Sequence, residues 1–403
     1  MRITYRHERW RAIAAGIIES AGSTFLLLIA VRWFHAGAIA KGLIASGGSL
    51  GLMLSPLVVT RVAHLRWPAN LAASRLAILG AIVLFVMALF PTLPVFTLGA
   101  LLSMAAASSV VPLLTHIYQE NYPAAMRGKL FSHSIMIRIG VAALFGKYAG
   151  DALGGHLEYY RQLLLVIAAA FLFAAWHLRC CPSTCISNAD GTHPFRSFRF
   201  IREDQIFRRT LICWMLMGFA NLMMNPMRIE MLANPRHGLQ LSTADVVFFV
   251  GVLPNIARFC LSPVWAWLFD RINFFVLRVV LNLGFAIGIL MFFTTNDRMG
   301  LWIGSIIYGI SNGGGDIAWS LWVTKFAPAH RVADYMSVHT FLTGFRGVAA
   351  PLAAFQLVGH FSLGALGWAS AGLILIASAL LLPEIKFGKN ARSGFALIEE
   401  GID

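Results

Sequence analysis

Among the ionisable residues that fall inside largely apolar stretches, the candidates for chemistry are Glu19, Arg138, Arg258, Asp316 and Arg346. A charge at the centre of a bilayer-spanning helix costs at least about 2.5–3.5 kcal/mol on insertion scales, so such a residue is there to pair or to act. A carboxyl group in a dry setting favours its protonated form, which suits Glu19 or Asp316 to carrying a proton. The planar guanidinium forks of Arg138, Arg258 and Arg346 suit a carboxylate or phosphate, and hence an anionic solute. The competing reading is structural: Glu19 pairs with Arg138, and Asp316 with Arg258 or Arg346, holding helices in place without moving anything. The run Gly313-Gly314-Gly315 ahead of Asp316 favours a functional role there, because it weakens the helix and admits close backbone approach.

These residues need elements of membrane-spanning length. Of 403 residues 58% are hydrophobic and 12% charged, against roughly 25% charged in an ordinary globular domain. Apolar runs near the ~20 residues needed to cross a bilayer recur along the chain. About twelve helical spans are expected, at roughly 12–34, 38–60, 71–90, 94–117, 131–154, 161–178, 208–231, 245–268, 274–295, 300–323, 335–357 and 364–382. Strand-sized alternation is absent, which argues against a β-barrel. With both termini cytoplasmic, most of the 32 Lys and Arg fall on inner segments, so the +14 net charge reads as topology and contact with anionic lipid rather than nucleic-acid binding.

Two stretches repeat at one offset of 207 positions. Leu54-Ser55-Pro56 returns as Leu261-Ser262-Pro263, and Gly140-Val141-Ala142-Ala143 as Gly347-Val348-Ala349-Ala350, with Arg138 and Arg346 just ahead. Asn70 and Arg75 return as Asn273 and Arg278, and Pro123 with Arg127 as Pro328 with Arg331. The economical explanation is a duplicated half, a feature of many secondary transporters. The expected organisation is a six-helix bundle over 1–178, a basic cytoplasmic loop over 179–207, and a second bundle over 208–403 ending in a short cytoplasmic tail. Arg138 and Arg346, at matched positions, are candidates to bracket one anion between the halves, or else are relics of duplication satisfied separately.

Twelve spans, a basic central loop and two parallel halves resemble the major facilitator superfamily over nearly the whole chain. That family's loop signature after the second span of a half is Gly-x3-Asp-Arg-x-Gly-Arg. Here Ala266-x3-Asp270-Arg271-Ile272-Asn273 keeps the Asp-Arg pair but neither glycine, while Pro56-Leu57-Val58-Val59-Thr60-Arg61 lacks the acid. In the family this loop clamps the cytoplasmic side, so the resemblance implies a gating role for Asp270 and Arg271. Gly146-x3-Gly150-Asp151-x2-Gly154-Gly155 is similar to the antiporter signature Gly-x3-Gly-Pro-x2-Gly-Gly, with Asp151 in place of proline. Glycines four apart leave a groove for close helix contact, for gating or for packing alone. The resemblance also implies that the first, fourth, seventh and tenth spans line a cavity, which selects Glu19, Asn221, Asn225, Asn312 and Asp316.

The remaining polar residues carry less. His133 and His339 titrate near neutrality in principle but read as polar anchors near the inner surface. Trp214, Trp265, Trp267, Trp302, Trp319 and Trp322 read as interface belts or packing. Cys180, Cys181, Cys185 and His193 do not match a recognised ligand spacing, and no metal or cofactor is expected. The expectation is an all-α integral membrane protein of the inner membrane, a monomer moving a small polar or anionic organic solute by alternating access, with a proton as candidate coupling ion. A polytopic enzyme such as a lipid-linked transferase would need a long outer loop carrying acids, and Glu158, Asp245 and Asp297 are scattered over short ones. A transporter-derived sensor is the other rival.

Overall fold

The structure, a computed structural model, describes residues 1–185, 195–237, 239, 241–295, 297–325 and 332–399. Twelve long helices succeed one another: α1 (Arg2–Arg32), α2 (Ala38–His64), α3 (Ala69–Leu89), α4 (Leu93–Asn121), α5 (Ala124–Gly155), α6 (Tyr160–Arg179), α7 (Gln205–Ala233), α8 (Thr243–Arg271), α9 (Phe274–Thr294), α10 (Arg298–Leu321), α11 (Val332–Leu357) and α12 (Leu363–Glu399). Ten are long and apolar enough to cross a membrane; α10 and α11, which carry Asp316 and Arg346, are of similar length and pack among them. Residues 186–194 of the central loop, with His193, and the matched pair Pro328 and Arg331 lie outside the described residues.

Several helices begin before the expected spans. α1 starts at Arg2 rather than near residue 12, which places Glu19 close to its middle. α12 continues as helix to Glu399, where a short tail was expected. Four helices of the second half start on side-chain caps: Asp204, Ser242, Asn273 and Asp297 each accept from a backbone N–H in the first turn. In the first half α3 and α5 start directly after Pro68 and Pro123, whose fixed φ makes a sharp entry.

The duplication is visible in the packing. In the first half α1 packs on α5 and α6, α3 on α4 and α6, and α2 on α4; in the second, α7 packs on α11 and α12, α9 on α10 and α12, and α8 on α10. The pairing is the same with six added to each number. The halves meet where α2 lies along α11 and α5 along α8, again a pair exchanged by the repeat, with α1 against α7.

The sequence echoes have structural causes. Pro56 and Pro263 each stand inside a helix, and in both copies the preceding serine bonds back to a carbonyl four residues earlier, Ser55 to Gly51 and Ser262 to Arg258. Each Asn-x4-Arg copy opens the third helix of its half and lays its arginine on an indole, Arg75 on Trp67 and Arg278 on Trp214, both with Cζ 3.9 Å from the ring centroid.

Two single π turns interrupt helices of opposite halves, Ala21–Phe25 in α1 and Phe248–Val252 in α8. They face each other: a methyl group built on Gly251 would stand 3.2 Å from Thr24 Oγ1. A π turn shifts the angular register between the helix segments on its two sides, and such turns are frequent at functional sites. Here they lie a few residues from Glu19 and Arg258.

Candidate functional site

Glu19, Arg138, Arg258 and Asp316 form one ionic network. Arg258 is its centre: Nη1 donates to Glu19 Oε1 at 2.5 Å and Nε to Asp316 Oδ2 at 2.6 Å. Nη1 also lies 3.3 Å from Asn255 Oδ1, one helical turn back. Arg138 completes the set, with Nε 2.9 Å from Glu19 Oε2; that contact is ionic rather than an aligned hydrogen bond. The side chains are 34% exposed at Arg138, 25% at Glu19 and 33% at Asp316, but 6% at Arg258. Two cations and two anions balance, and the three outer members keep access to open space while the shared guanidinium is enclosed.

Sequence reasoning offered pairing within each half as the structural reading. Glu19 does pair with Arg138 and Asp316 with Arg258, but Glu19 also reaches across to Arg258, so the network joins the halves. Arg346 stands apart: its Nη1 donates to the Trp214 carbonyl, and among the described residues it shares no partner with Arg138.

The three asparagines divide. Asn225 Oδ1 accepts from Tyr308 Oη at 3.1 Å, and Tyr308 is within electrostatic reach of Arg258 and Asp316. Asn221 Oδ1 is buried without a partner among the described residues, which leaves it free for a ligand. Asn312 is half-buried on α10, one turn before Asp316.

The glycine run of α5 faces the other half. A methyl group on Gly150 would come within 2.9 Å of Val247, while Gly146 and Gly154 face Val252 and Ala244 at 3.5 Å. Gly155 has open space around it, and Asp151, in the proline's place, pairs with Lys147 on an exposed face at 2.7 Å. Asp270 and Arg271 are both exposed; the arginine stacks on Trp267, Cζ 4.5 Å from the centroid, and neither makes an ion pair among the described residues. His339 departs from expectation, being buried against Trp214, Trp319 and Trp322 rather than placed at an interface. Trp214 and Trp322 are likewise core residues of the second half.

Sequence reasoning missed a second junction between the halves, at the end of the bundle away from the termini. Lys41 Nζ donates to Glu230 Oε1 at 2.6 Å, and both are buried. Asn234 Nδ2 donates to the same oxygen at 2.7 Å and His237 stands 3.8 Å from it. Beside this, Arg32 at the end of α1 reaches Thr243 Oγ1 at 2.6 Å and the carbonyls of Leu241 and Ala233. Close backbone approach of α2 to α11 extends from Gly42, against Leu352, to Gly344, against Met53. At the terminus end the named pairs stay within one half: Glu8 with Arg11 and His7 with His177 in the first, Asp204 with Tyr335 and Arg209 with Glu384 in the second. Glu230 carried the same signal as Glu19, an acid within an apolar span, but stands in its last turn, where the depth argument gives least contrast.

A duplicated bundle of twelve helices, its halves joined by charged residues at mid-depth and by an ion pair and hydrogen bonds at one end, defines an integral membrane protein of transporter architecture. The sequence profile of the Major Facilitator Superfamily matches residues 11–351, and the chain belongs to that family. Its fold is shared with solved transporters at low identity. The nucleoside transporter NupG superposes with a TM-score of 0.73 at 14% identity, over 95% of this chain and 99% of that one. A D-xylose–proton symporter gives 0.66 at 14%, over 94% and 95%. The human organic anion transporter MFSD10 (TETRAN) gives 0.67 at 16%, over 94% and 98%. No curated protein matches the sequence closely enough to count as a relative.

Proposed function

We propose that the chain is a proton-coupled secondary transporter of a small anionic organic solute, working by alternating access in a bacterial-type inner membrane with both termini cytoplasmic. The observation that carries the reading is the bridging of Glu19 and Asp316 by one enclosed guanidinium, Arg258, across the two halves. While both acids are ionised, they occupy the arginines that an anion would need. Protonation of either acid frees part of Arg258 or Arg138, and an anionic solute then replaces the lost carboxylate. Proton and anion therefore bind together, and charge inside the protein stays balanced throughout the cycle. Asn221, Asn225 and Asn312 supply neutral hydrogen bonds that orient the solute.

Of the solutes named for the structural neighbours, an organic anion suits two intramembrane arginines better than a nucleoside or xylose. The contacts at the far end support a state closed to the outside, with the glycine face of α5 and the α2–α11 contact as the surfaces that part. One copy contains every residue of the site, so a monomer in its lipid surroundings suffices. Uptake of labelled organic anions, nucleosides and pentoses into proteoliposomes, with and without an inwardly directed proton gradient (acid outside), tests the proposal. Gradient-driven accumulation of an anion is expected. Equal transport in both directions regardless of the gradient would refute the coupling, and accumulation confined to neutral solutes would refute the anion assignment.

A further inference from the structure

Arg228 of α7 is a buried cation outside the ionic network. Its side chain is enclosed, and Nε and Nη1 have no hydrogen-bond partner among the described residues. Glu230 lies two residues on, about 200° round the helix, and is held by Lys41 and Asn234. What Arg228 does touch is aromatic. Its Cζ stands 3.2 Å from the ring centroid of Tyr308 on α10 and 5.2 Å from that of Phe292 on α9. A guanidinium over a ring face is attracted by the ring quadrupole, the more so where water is excluded. Phe285 closes on Tyr308 from another side, edge-on at 5.8 Å, and the tyrosine is buried.

The phenol of Tyr308 leads towards the solute site. Its Oη lies 3.1 Å from Oδ1 of Asn225, which stands one turn before Arg228 on α7. Asn221 is one turn further back, so the three residues share a helix face. A phenol and a primary amide can bond in two senses: the hydroxyl donates to Oδ1, or it accepts from Nδ2. Positive charge on the ring face draws electron density from the oxygen, which makes the hydroxyl a stronger donor and a poorer acceptor. Arg258 and Asp316 also act on Tyr308, but they are paired with each other and their fields oppose. Arg228 is the uncompensated charge, and it selects the first sense. With Oδ1 occupied, Nδ2 turns away from the phenol. It has no partner among the described residues and is not enclosed, so its two N–H donors open onto accessible space.

We propose that Arg228 is a positioning residue: through the Tyr308 hydroxyl it fixes the Asn225 amide so that its donors, and not its acceptor, face the solute. This role rests on the solute site described above, around Arg258 and Asp316. There the arginines take the anionic charge, and Asn225 takes an oxygen acceptor of the solute. Arg228 itself stays enclosed behind the Tyr308 ring throughout. Without its charge the amide is free to turn over, and half of its orientations present an oxygen to an oxygen. Binding weakens as a result, while the steps that follow binding are untouched.

The test begins with isotope-edited infrared spectra of the full chain in nanodiscs, with ring-labelled tyrosine and no solute. Tyr308 is isolated as the difference between wild type and Tyr308→Phe. The tyrosine C–O stretch is lower in frequency when the hydroxyl only donates than when it accepts. A donor band is expected in the wild type and in Arg228→Lys, which keeps a cation on the ring, and an acceptor band in Arg228→Met. Arg228→Met puts an apolar chain in place of an enclosed, uncompensated charge, so it should fold. An acceptor band in the wild type, or the same donor band in Arg228→Met, would overturn the proposal whatever the chain transports. The second arm measures uptake of labelled lactate, uridine and xylose into proteoliposomes. For whichever is taken up, Arg228→Met and Tyr308→Phe should each raise KM about fivefold with kcat retained, the size of one neutral hydrogen bond. The two together should do no more than either, and Arg228→Lys should behave as wild type. Additive effects would make Arg228 a packing residue and count equally against the role. Uptake confined to uridine or xylose would refute the anion assignment while leaving the bands to decide this one.

Discussion

Arg258 of the second half donates to Glu19 of the first at 2.5 Å, and this bond ties together helices that alternating access must separate. The same guanidinium holds Asp316 at 2.6 Å, so removing it strands Asp316 and leaves Glu19 with Arg138 alone. Loss of one partner from a buried pair costs about 3–5 kcal/mol. Arg258→Gln is therefore expected to abolish uptake in proteoliposomes. Glu19→Gln, which mimics the protonated acid, should keep downhill exchange of solute but lose accumulation driven by a pH gradient. Wild-type accumulation in Glu19→Gln and Asp316→Asn, each tested singly, would remove both acids from the coupling.

The α5–α8 contact predicts a graded response along one glycine run. A methyl group on Gly150 meets Val247 at 2.9 Å, whereas Gly155 has nothing within 4 Å. Overpacking of this kind costs about 1–3 kcal/mol. Because the contact belongs to the state closed at the far end, Gly150→Ala should weaken that state and slow turnover with little change in apparent affinity. Gly155→Ala should behave as wild type. Uptake kinetics for the two variants side by side would decide, and equal effects would mean that the run acts through packing unrelated to the contact.

The cysteines beyond α6 report both burial and sidedness. Cys181 is 4% exposed, and burial pushes its thiol up to about 12, so at neutral pH it is almost wholly protonated and a poor nucleophile. Cys185, four residues on, is exposed. A membrane-impermeant maleimide should modify Cys185 in inside-out vesicles and spare it in right-side-out ones. Cys181 should remain slow in either, even at moderately alkaline pH. Labelling of Cys185 from the outer side would reverse the proposed orientation.

How much of this was legible in the sequence depends on the kind of signal. Apolar length and the 207-residue echo were enough for twelve helices in two matched sets, because span length and small-residue packing are local properties. Glu19, Arg138, Arg258 and Asp316 stood out because a charge in an apolar span is conspicuous wherever it ends up. Their partners were not legible. Whether Arg258 reaches Glu19 or only Asp316 depends on how the halves dock and on the two π turns beside them, neither of which leaves a periodic trace. Symmetry left Arg346 open, because a match to Arg138 fits either an anion bracketed between the halves or two arginines satisfied separately; its side chain turns into its own half, where Gly218 leaves room on α7. Lys41 and Glu230 escaped because residues near span ends are ordinarily solvated, and only the tertiary fold buries them.

The Lys41–Glu230 pair makes the sharpest conformational prediction. Its distance is 2.6 Å, and both side chains are less than a tenth exposed. It closes the end of the bundle away from the termini, where Arg32 adds bonds to Thr243 and the Leu241 carbonyl. If the pair is a latch rather than a fixed strut, weakening it shifts a population instead of unfolding the protein. Lys41→Glu alone sets two carboxylates against each other and should open the far end. A cysteine placed at Asn234, beside the latch, should then react with an impermeant maleimide added from outside, where in the otherwise wild-type chain it is protected. The exchange Lys41→Glu with Glu230→Lys restores opposite charges and should restore protection and much of the transport, since the interaction depends on sign and reach rather than on which helix carries which residue. If the single variant were to lose folded protein in size-exclusion chromatography and the double variant failed to recover it, the pair would be a strut. Retained fold with a cysteine that stays protected in Lys41→Glu would show that Arg32 and the α2–α11 contact close this end without it.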